Sequence, residues 1–481
     1  MEQNTNVKMI VVAVLSVVTW MWYEKRQSKK QEQEQEEKIL VRRIGMENDL
    51  LLKEEEEEEK KVDCIYLDYN GTTPIEKSVL DAMMPYLTTE FGNPSSTHYY
   101  GQKPRMAIQE ARQHIATLIG ATTNNNNNNN NSIIFTGCGT EADNMAIHMA
   151  LSIATSTTNP RRSIVFDKNQ KPHIVTSAIE HPAILAYLQS LEDKGEVDVT
   201  YVKVNKEGLI SVIDVIDAID VHRTILVTIM YANNEVGSIQ PIQDIALACN
   251  KLNILFHTDA AQAIGKVVPL PSLQHIDMMT IVGHKLGAPK GIAALYIRPT
   301  LTPHSSPFLM GGGQERGLRA GTENVPYIVG MGQAAKLLLT TTNNSGEPQW
   351  QCNMRHMKQM RQRLLQHFQQ QQEQLLFRVN GPSNEQKRLP NTLSISIKGL
   401  NSAKLVQTVG NVVACSAGSA CHASDDTKAI SPVLRAMNVP LDYALGTLRL
   451  TIGPHTTPKQ IDTAAQILIQ EIKYQLSSLP S

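Results

Sequence analysis

Lys285 closes an apolar run at residues 278–282 followed by Gly283 and His284, and Asp259 lies just after a second run at 254–256. An amine and a carboxylate, each at the end of a buried strand, are groups of opposite charge brought out of an apolar interior. Such a lysine can hold a carbonyl-bearing cofactor as a Schiff base. Such an acid can keep a pyridine nitrogen protonated, so that the ring accepts electrons; pyridoxal phosphate needs this pair. Far downstream, Cys421 stands in a small-residue loop after Gly418-Ser419-Ala420 and adds a nucleophile.

The elements that must position these groups are also legible. Apolar runs at 133–135, 173–177, 225–230, 254–257, 278–282 and 293–297 alternate with helical stretches, predicting an α/β chain with a mostly parallel sheet. Ligands of such sheets collect at the carboxyl ends of the strands. Those ends carry Thr136-Gly137-Cys138-Gly139-Thr140, Glu180-His181, Asn233-Asn234-Glu235, Asp259 with Gln262, and His284-Lys285. The turn at Gly139 and Thr140 opens a helix, so its amides and the threonine hydroxyl can cradle a phosphate. Taken singly each cluster has a plainer reading: a helix cap, a surface histidine, an asparagine turn. Together they surround one ligand. After residue 330 a helical segment to 368 leads into a smaller C-terminal α+β domain with a strand at 392–397 and the cysteine loop. The expected domains are therefore a large one over 62–330 and a small one over 331–481.

With a formal net charge of −1 over 481 residues the chain has no global basic field, and no nucleic acid partner is expected. The six cysteines, at 64, 138, 249, 352, 415 and 421, form no CxxC pair. They make neither a disulfide framework nor a metal site, and suit a reducing compartment. Cys415, in an apolar stretch, is expected to be buried, and Cys138 to be bystander packing. The N-terminus differs. Residues 9–23 are uncharged and apolar, end in Trp20, Trp22 and Tyr23, and are followed by Lys25, Arg26, Lys29 and Lys30. The expectation is a single-pass membrane anchor over 1–23 with the catalytic body facing the cytosol. A targeting segment and a peripheral helix are the rivals. Residues 24–61 read as a charged Glu/Gln-rich linker, and 124–131 as an asparagine loop expansion.

The motifs LDYNGTTP (67–74), GNPSSTH (92–98), TSAIEHPAIL (176–185), YANNEVG (231–237), HTDAAQAIGK (257–266), VGHK (282–285), GGGQERGLRAGTEN (311–324), GSACHAS (418–424) and TLRLTIG (447–453) carry a resemblance. From about residue 62 onward the chain resembles the NifS-like, fold-type I pyridoxal phosphate enzymes, the cysteine desulfurases and selenocysteine lyases. The resemblance implies a homodimer. It makes Lys285 the Schiff-base lysine, Asp259 the pyridinium partner, and His181 the stacking ring that also handles protons. Gln262, Asn233 and Asn234 would contact the phenolic oxygen; Thr140, Gly139 and His284 would hold the phosphate. Thr322 would reach the phosphate of the neighbouring subunit's cofactor. Arg449 would clamp the substrate carboxylate, assisted by Asn93, and Cys421 would take the chalcogen atom. Lys285 would move the Cα proton, and L-alanine would leave.

Departures refine the expectation. Val282 stands where desulfurase members usually carry a phosphate-binding serine, as in the selenocysteine lyase branch; Cys421-His422 with Ser424-Asp425 and SPVLRAMNVP (431–440) lean the same way. Gly71, Cys138 and Pro454 also depart from the common pattern. The activity expected is PLP-dependent decomposition of L-selenocysteine to L-alanine and selenide. A cysteine desulfurase feeding iron–sulfur clusters or tRNA thiolation through a sulfur acceptor is the alternative, and a silent membrane-tethered scaffold is the non-enzymatic reading.

Overall fold

The computed structural model describes residues 64–121, 132–155, 170–267, 273–341, 346–418 and 430–478. The chain divides into residues 1–64 and 65–481, and the fold below is that of the second unit. Its described residues form thirteen strands: β1 (Ile65–Tyr66), β2 (Ile133–Thr136), β3 (His173–Ser177), β4 (Asp198–Val202), β5 (Thr224–Thr228), β6 (Leu255–Asp259), β7 (Met278–Val282), β8 (Ala293–Ile297), β9 (Phe377–Asn380), β10 (Thr392–Ile397), β11 (Val413–Ala414), β12 (Ser416–Ala417) and β13 (Thr447–Thr451).

Strands β2 to β8 form a seven-stranded sheet in the order β2-β8-β7-β6-β5-β3-β4. Four of its six pairings are parallel; the two made by β8 are antiparallel. The sheet is buried on both faces, because neighbouring residues of one strand feed different cores. Ile174, Leu226, Leu255 and Met278 pack on one side. Val175, Val227, Phe256 and Met279 pack on the other. Two covered faces need continuous apolar runs, and those runs made the strands visible in the sequence. The exception is β4, an edge strand whose residues are mostly half-buried. Its alternating polar sequence DVTYV gave no such run.

A second, four-stranded sheet, β12-β13-β10-β9, is antiparallel throughout, and β1 pairs in parallel with β11. Thr451 N donates to Leu67 O at 2.8 Å, which ties the start of the unit to its C-terminal third. The domain border expected at residue 330 falls inside the helix Val325–Leu339. Gly453 has a specific reason to be glycine: a Cβ there would lie 2.0 Å from Tyr69 Cζ.

The expectation of a membrane anchor is corrected. Among the described residues no helix is long and apolar enough to cross a membrane. Residues 1–23, with the linker 24–61, the asparagine loop 124–131 and Cys421, lie outside the described residues.

Candidate active site

The carboxyl ends of the parallel strands open onto a cavity of about 350 Å³, within the range of small-molecule sites. Its lining includes Gly139, Thr140, His181, Asn234, Asp259, Gln262, His284, Lys285 and Arg449, drawn from six separate sequence motifs. The structure thus brings most of the expected residues together. Asn233, Asn93 and Thr322 are not in that wall. Asn233 is fully buried; its amide donates to Ile179 O and accepts from the Glu235 and Val236 amides, so it builds the turn that presents Asn234. Asn93 and Thr322 are exposed on the surface. Cys415 is buried, as expected. Cys138 is not bystander packing: it is exposed and lines the cavity.

Lys285 follows β7 in a single 3-10 turn, Gly283–Lys285. Its Nζ donates to Asn70 O at 2.5 Å and Gly71 O at 2.6 Å. Burial first, then the Arg449 charge, lowers its pKa to about 8. A neutral amine, the nucleophilic form, is therefore accessible near physiological pH. Asp259 ends β6, is buried, and accepts from Ala261 N at 2.9 Å. Burial raises its pKa, with His181 and Lys285 opposing. Behind it Asp143, also buried, is pushed well up by burial and by Asp259, and its Oδ1 has no hydrogen-bond partner.

His181 caps the helix Pro182–Asp193, its Nδ1 accepting from Ala183 N at 3.1 Å. An accepting Nδ1 places the proton of the neutral ring on Nε2. Burial lowers its pKa, aided by Lys285. The carboxyl of Glu180, next in sequence, braces the strand ends: it accepts from Ser177 Oγ and from Met230 N. Burial raises its pKa to about 8. His284 is held neutral as well, its pKa lowered to about 4 by burial and the surrounding lysines, with Nδ1 3.1 Å from Thr72 Oγ1.

Gly139 begins the helix Gly139–Thr155. A Cβ there would meet Val282 Cγ2 at 2.7 Å, so the turn is both backbone-lined and closed by the valine. Glu141, in the first turn, accepts from Gly137 N at 2.7 Å and pairs with Arg319 at 2.6 Å. At the opposite end of the cavity Arg449, from β13, donates through Nη2 to Asp68 Oδ1 and Ser416 Oγ, both at 2.8 Å. Its Nη1 reaches Asn234 O only at 3.4 Å, and its buried Nε has no partner.

Two residues that sequence reasoning missed organise the centre. Asn70, 2% exposed, has seven hydrogen bonds. They join Gln262, Lys266, Lys285 and Asn234 from the large sheet's loops to Asn391, Thr392 and Thr451 beside the small sheet. Lys266 stands one helical turn beyond Gln262 in sequence. Its only signal was membership of the HTDAAQAIGK stretch.

The donor set fits pyridoxal phosphate. A buried acid, a lysine of lowered pKa, a neutral histidine, an amide and a helix-opening turn would suit ring nitrogen, aldehyde carbon, ring face, phenolic oxygen and phosphate respectively. Arg449 lines the same cavity.

Comparison with known proteins agrees with this geometry. The Aminotransferase class-V family model matches residues 65–463. A cysteine desulfurase of Nostoc sp. is 39% identical over 422 residues, 86% of this chain and 94% of that protein. Cysteine desulfurase IscS of Dictyoglomus turgidum is 37% identical over 405 residues, 84% and 93% of the two. Among solved structures, a NifS-like protein superposes with a TM-score of 0.72 at 30% identity, covering 86% of this chain and all of the other. One described as SspA in complex with cysteine gives 0.64 at 32%, covering 82% and 99%. The chain belongs to the class-V aminotransferase family and is a pyridoxal phosphate-dependent enzyme of the carbon–chalcogen lyase type with the NifS-like α/β fold.

Proposed function

We propose that this enzyme cleaves the Cβ–chalcogen bond of L-selenocysteine and releases L-alanine and selenide. The observation that carries the reading is the convergence of Lys285, Asp259, His181 and Arg449 on one cavity of about 350 Å³. Bound pyridoxal phosphate supplies a sink for the electron pair left at the substrate Cα. Asp259 would hold its ring nitrogen, Gln262 its phenolic oxygen, and Gly139, Thr140 and His284 its phosphate. Arg449 binds the substrate carboxylate as a fork, which fixes the Cα–H direction. Lys285 Nζ, in its neutral form, takes the Cα proton, and His181 Nε2 is the second group able to hold one. Cys421 would take the chalcogen atom from Cβ. Returning selenide to solution then consumes two electrons, which an external thiol supplies.

Selenium is favoured by Val282, whose methyl fills the place beside Gly139 where a serine hydroxyl would donate, and by the sequence run after Cys421. L-cysteine with a sulfur acceptor is the second reading, supported by relatives that are cysteine desulfurases by name. Nothing supports a silent membrane-tethered scaffold once the anchor is withdrawn. A homodimer is part of the proposal. Thr322 and Asn93 face outward, and Leu80, Met84, Leu87, Phe91, Tyr99 and Tyr100 form an exposed apolar group between residues 80 and 100.

L-alanine release by the full chain, with pyridoxal phosphate and a thiol reductant, is the test. Turnover of L-selenocysteine with L-cysteine inert supports the proposal. Comparable turnover of both moves the assignment to the sulfur reading, and alanine from neither defeats both.

A further inference from the structure

We propose that Lys266 is a positioning residue that fixes and polarises the Gln262 amide, so that this amide offers an N–H, and not its oxygen, to the cofactor. The proposal rests on the reading above in which Gln262 faces the phenolic oxygen.

The geometry is a four-group relay. Lys266 Nζ donates to Gln262 Oε1 at 2.7 Å and lies 3.5 Å from Asn70 Oδ1. Gln262 Nε2 in turn donates to Asn70 O at 3.0 Å. A side-chain amide has two chemically opposite ends of nearly equal shape, so its orientation follows from its neighbours. Here the neighbours leave no freedom. An ammonium has three donors and no acceptor, so it must face Oε1. A backbone carbonyl only accepts, so it must face Nε2. Of the two N–H groups on Nε2, one is spent on Asn70 O and the other belongs to the cavity that Gln262 lines.

Lys266 cannot act on the cofactor directly. It is 6% exposed and lines a separate cavity of about 450 Å³ on the far side of the wall that Lys285 shares. The charges that reach it, Lys285 and Arg449, are both cations. A buried cation without a carboxylate is costly and has no value to packing that a methionine would lack. Its effect is transmitted through the amide: an ammonium on Oε1 draws electron density from Nε2 and strengthens the N–H that remains. Burial beside Lys285 pulls the Lys266 pKa down to about 7, so the polarising charge is itself sensitive to the state of this cluster.

The test uses the full-length holoenzyme. A donor at the phenolic oxygen lowers the basicity of the cofactor's coloured group and adds to its retention. Lys266→Met is therefore expected to weaken cofactor retention about 10–100-fold, the worth of one charge-assisted hydrogen bond, and to raise the pH midpoint of the visible absorbance change by about one unit. Lys266→Arg, which keeps a cationic donor, is expected to recover most of both. Gln262→Leu should produce a shift of the same size, and adding Lys266→Met to it should change little further. If Lys266→Met does not fold, Lys266→Gln is read in the same way.

Wild-type midpoint and retention in Lys266→Met beside a shifted Gln262→Leu would overturn the proposal and leave the Gln262 role intact. Wild-type behaviour in both variants would overturn the Gln262 role and the proposal with it. Fully additive effects in the double variant would show that Lys266 acts by another route, which also overturns it.

Discussion

Replacing Arg449 by lysine should separate substrate recognition from cofactor binding. In the protein without substrate, the guanidinium is anchored at one nitrogen by Asp68 and Ser416. That leaves Nη1 with one long contact and a buried Nε with none, so two donors stay unsatisfied on a side chain that is 16% exposed. A carboxylate arriving there makes two charge-assisted bonds; a lysine, held by the same Asp68, can make one. A hydrogen bond to a charged group contributes about 1.5–3 kcal/mol, so the loss corresponds to about 10–150-fold in kcat/KM. The drop should fall mainly on KM, because the lost bond serves bound substrate and the reacting atoms alike. The assay is alanine release over a range of amino acid concentrations, with the visible spectrum of the bound cofactor as control. A substrate analogue without its carboxylate should bind both enzymes equally. If KM is unchanged in Arg449→Lys, or if the analogue discriminates as strongly as the amino acid does, Arg449 is not the carboxylate clamp.

Three other outcomes are expected. Lys285 has a pKa lowered to about 8, and only its neutral form attacks an aldehyde. The rate at which cofactor attaches to the cofactor-free chain should thus rise with pH, about tenfold per unit well below 8, and level off above it; a rise that continues about tenfold per unit past pH 9 without levelling refutes the shift. Gly139→Ala should lower cofactor affinity, since its Cβ would lie 2.7 Å from Val282 Cγ2. Val282→Ala should restore much of that loss, whereas independent effects would mean that the two side chains do not compete for one space. Glu315→Gln should destabilise the fold by about 3–5 kcal/mol in denaturant titration, because it leaves Arg112 buried without its carboxylate. That carboxylate also holds Phe135 N, and the turn carries Glu315 and Arg316 at positive φ of 46° and 61°. A change below about 1 kcal/mol would show that the pair stabilises nothing.

How much of the site was readable varies residue by residue. Lys285, Asp259, His181 and Gln262 each follow an apolar run that the double-faced sheet makes conspicuous, so their place at the strand ends could be inferred from pattern. Asn233 and Asn234 could not be told apart that way. Adjacent residues in a turn point in different directions, and only the packed turn buries Asn233 and leaves Asn234 at the cavity. Cys138 looked inert because a cysteine between glycines carries no signal of exposure. Strand β4 was hidden because an edge strand does not need an unbroken apolar run.

The sequence by itself determined six of the large sheet's seven strands, the chemistry of the strand ends and the family, because these depend on periodicity and short local motifs. Only the tertiary structure decided the long-range arrangement. Asn70 bonds with Thr451 across 381 positions and with Lys285 across 215, and Arg449 with Asp68 across 381. Contacts of that span leave no period or motif in the chain, since they are fixed by how two sheets close against each other. Lys266 and Gln262 are only four residues apart, but the carbonyl of Asn70 that fixes the other end of the Gln262 amide lies 192 positions away and was brought there by folding alone.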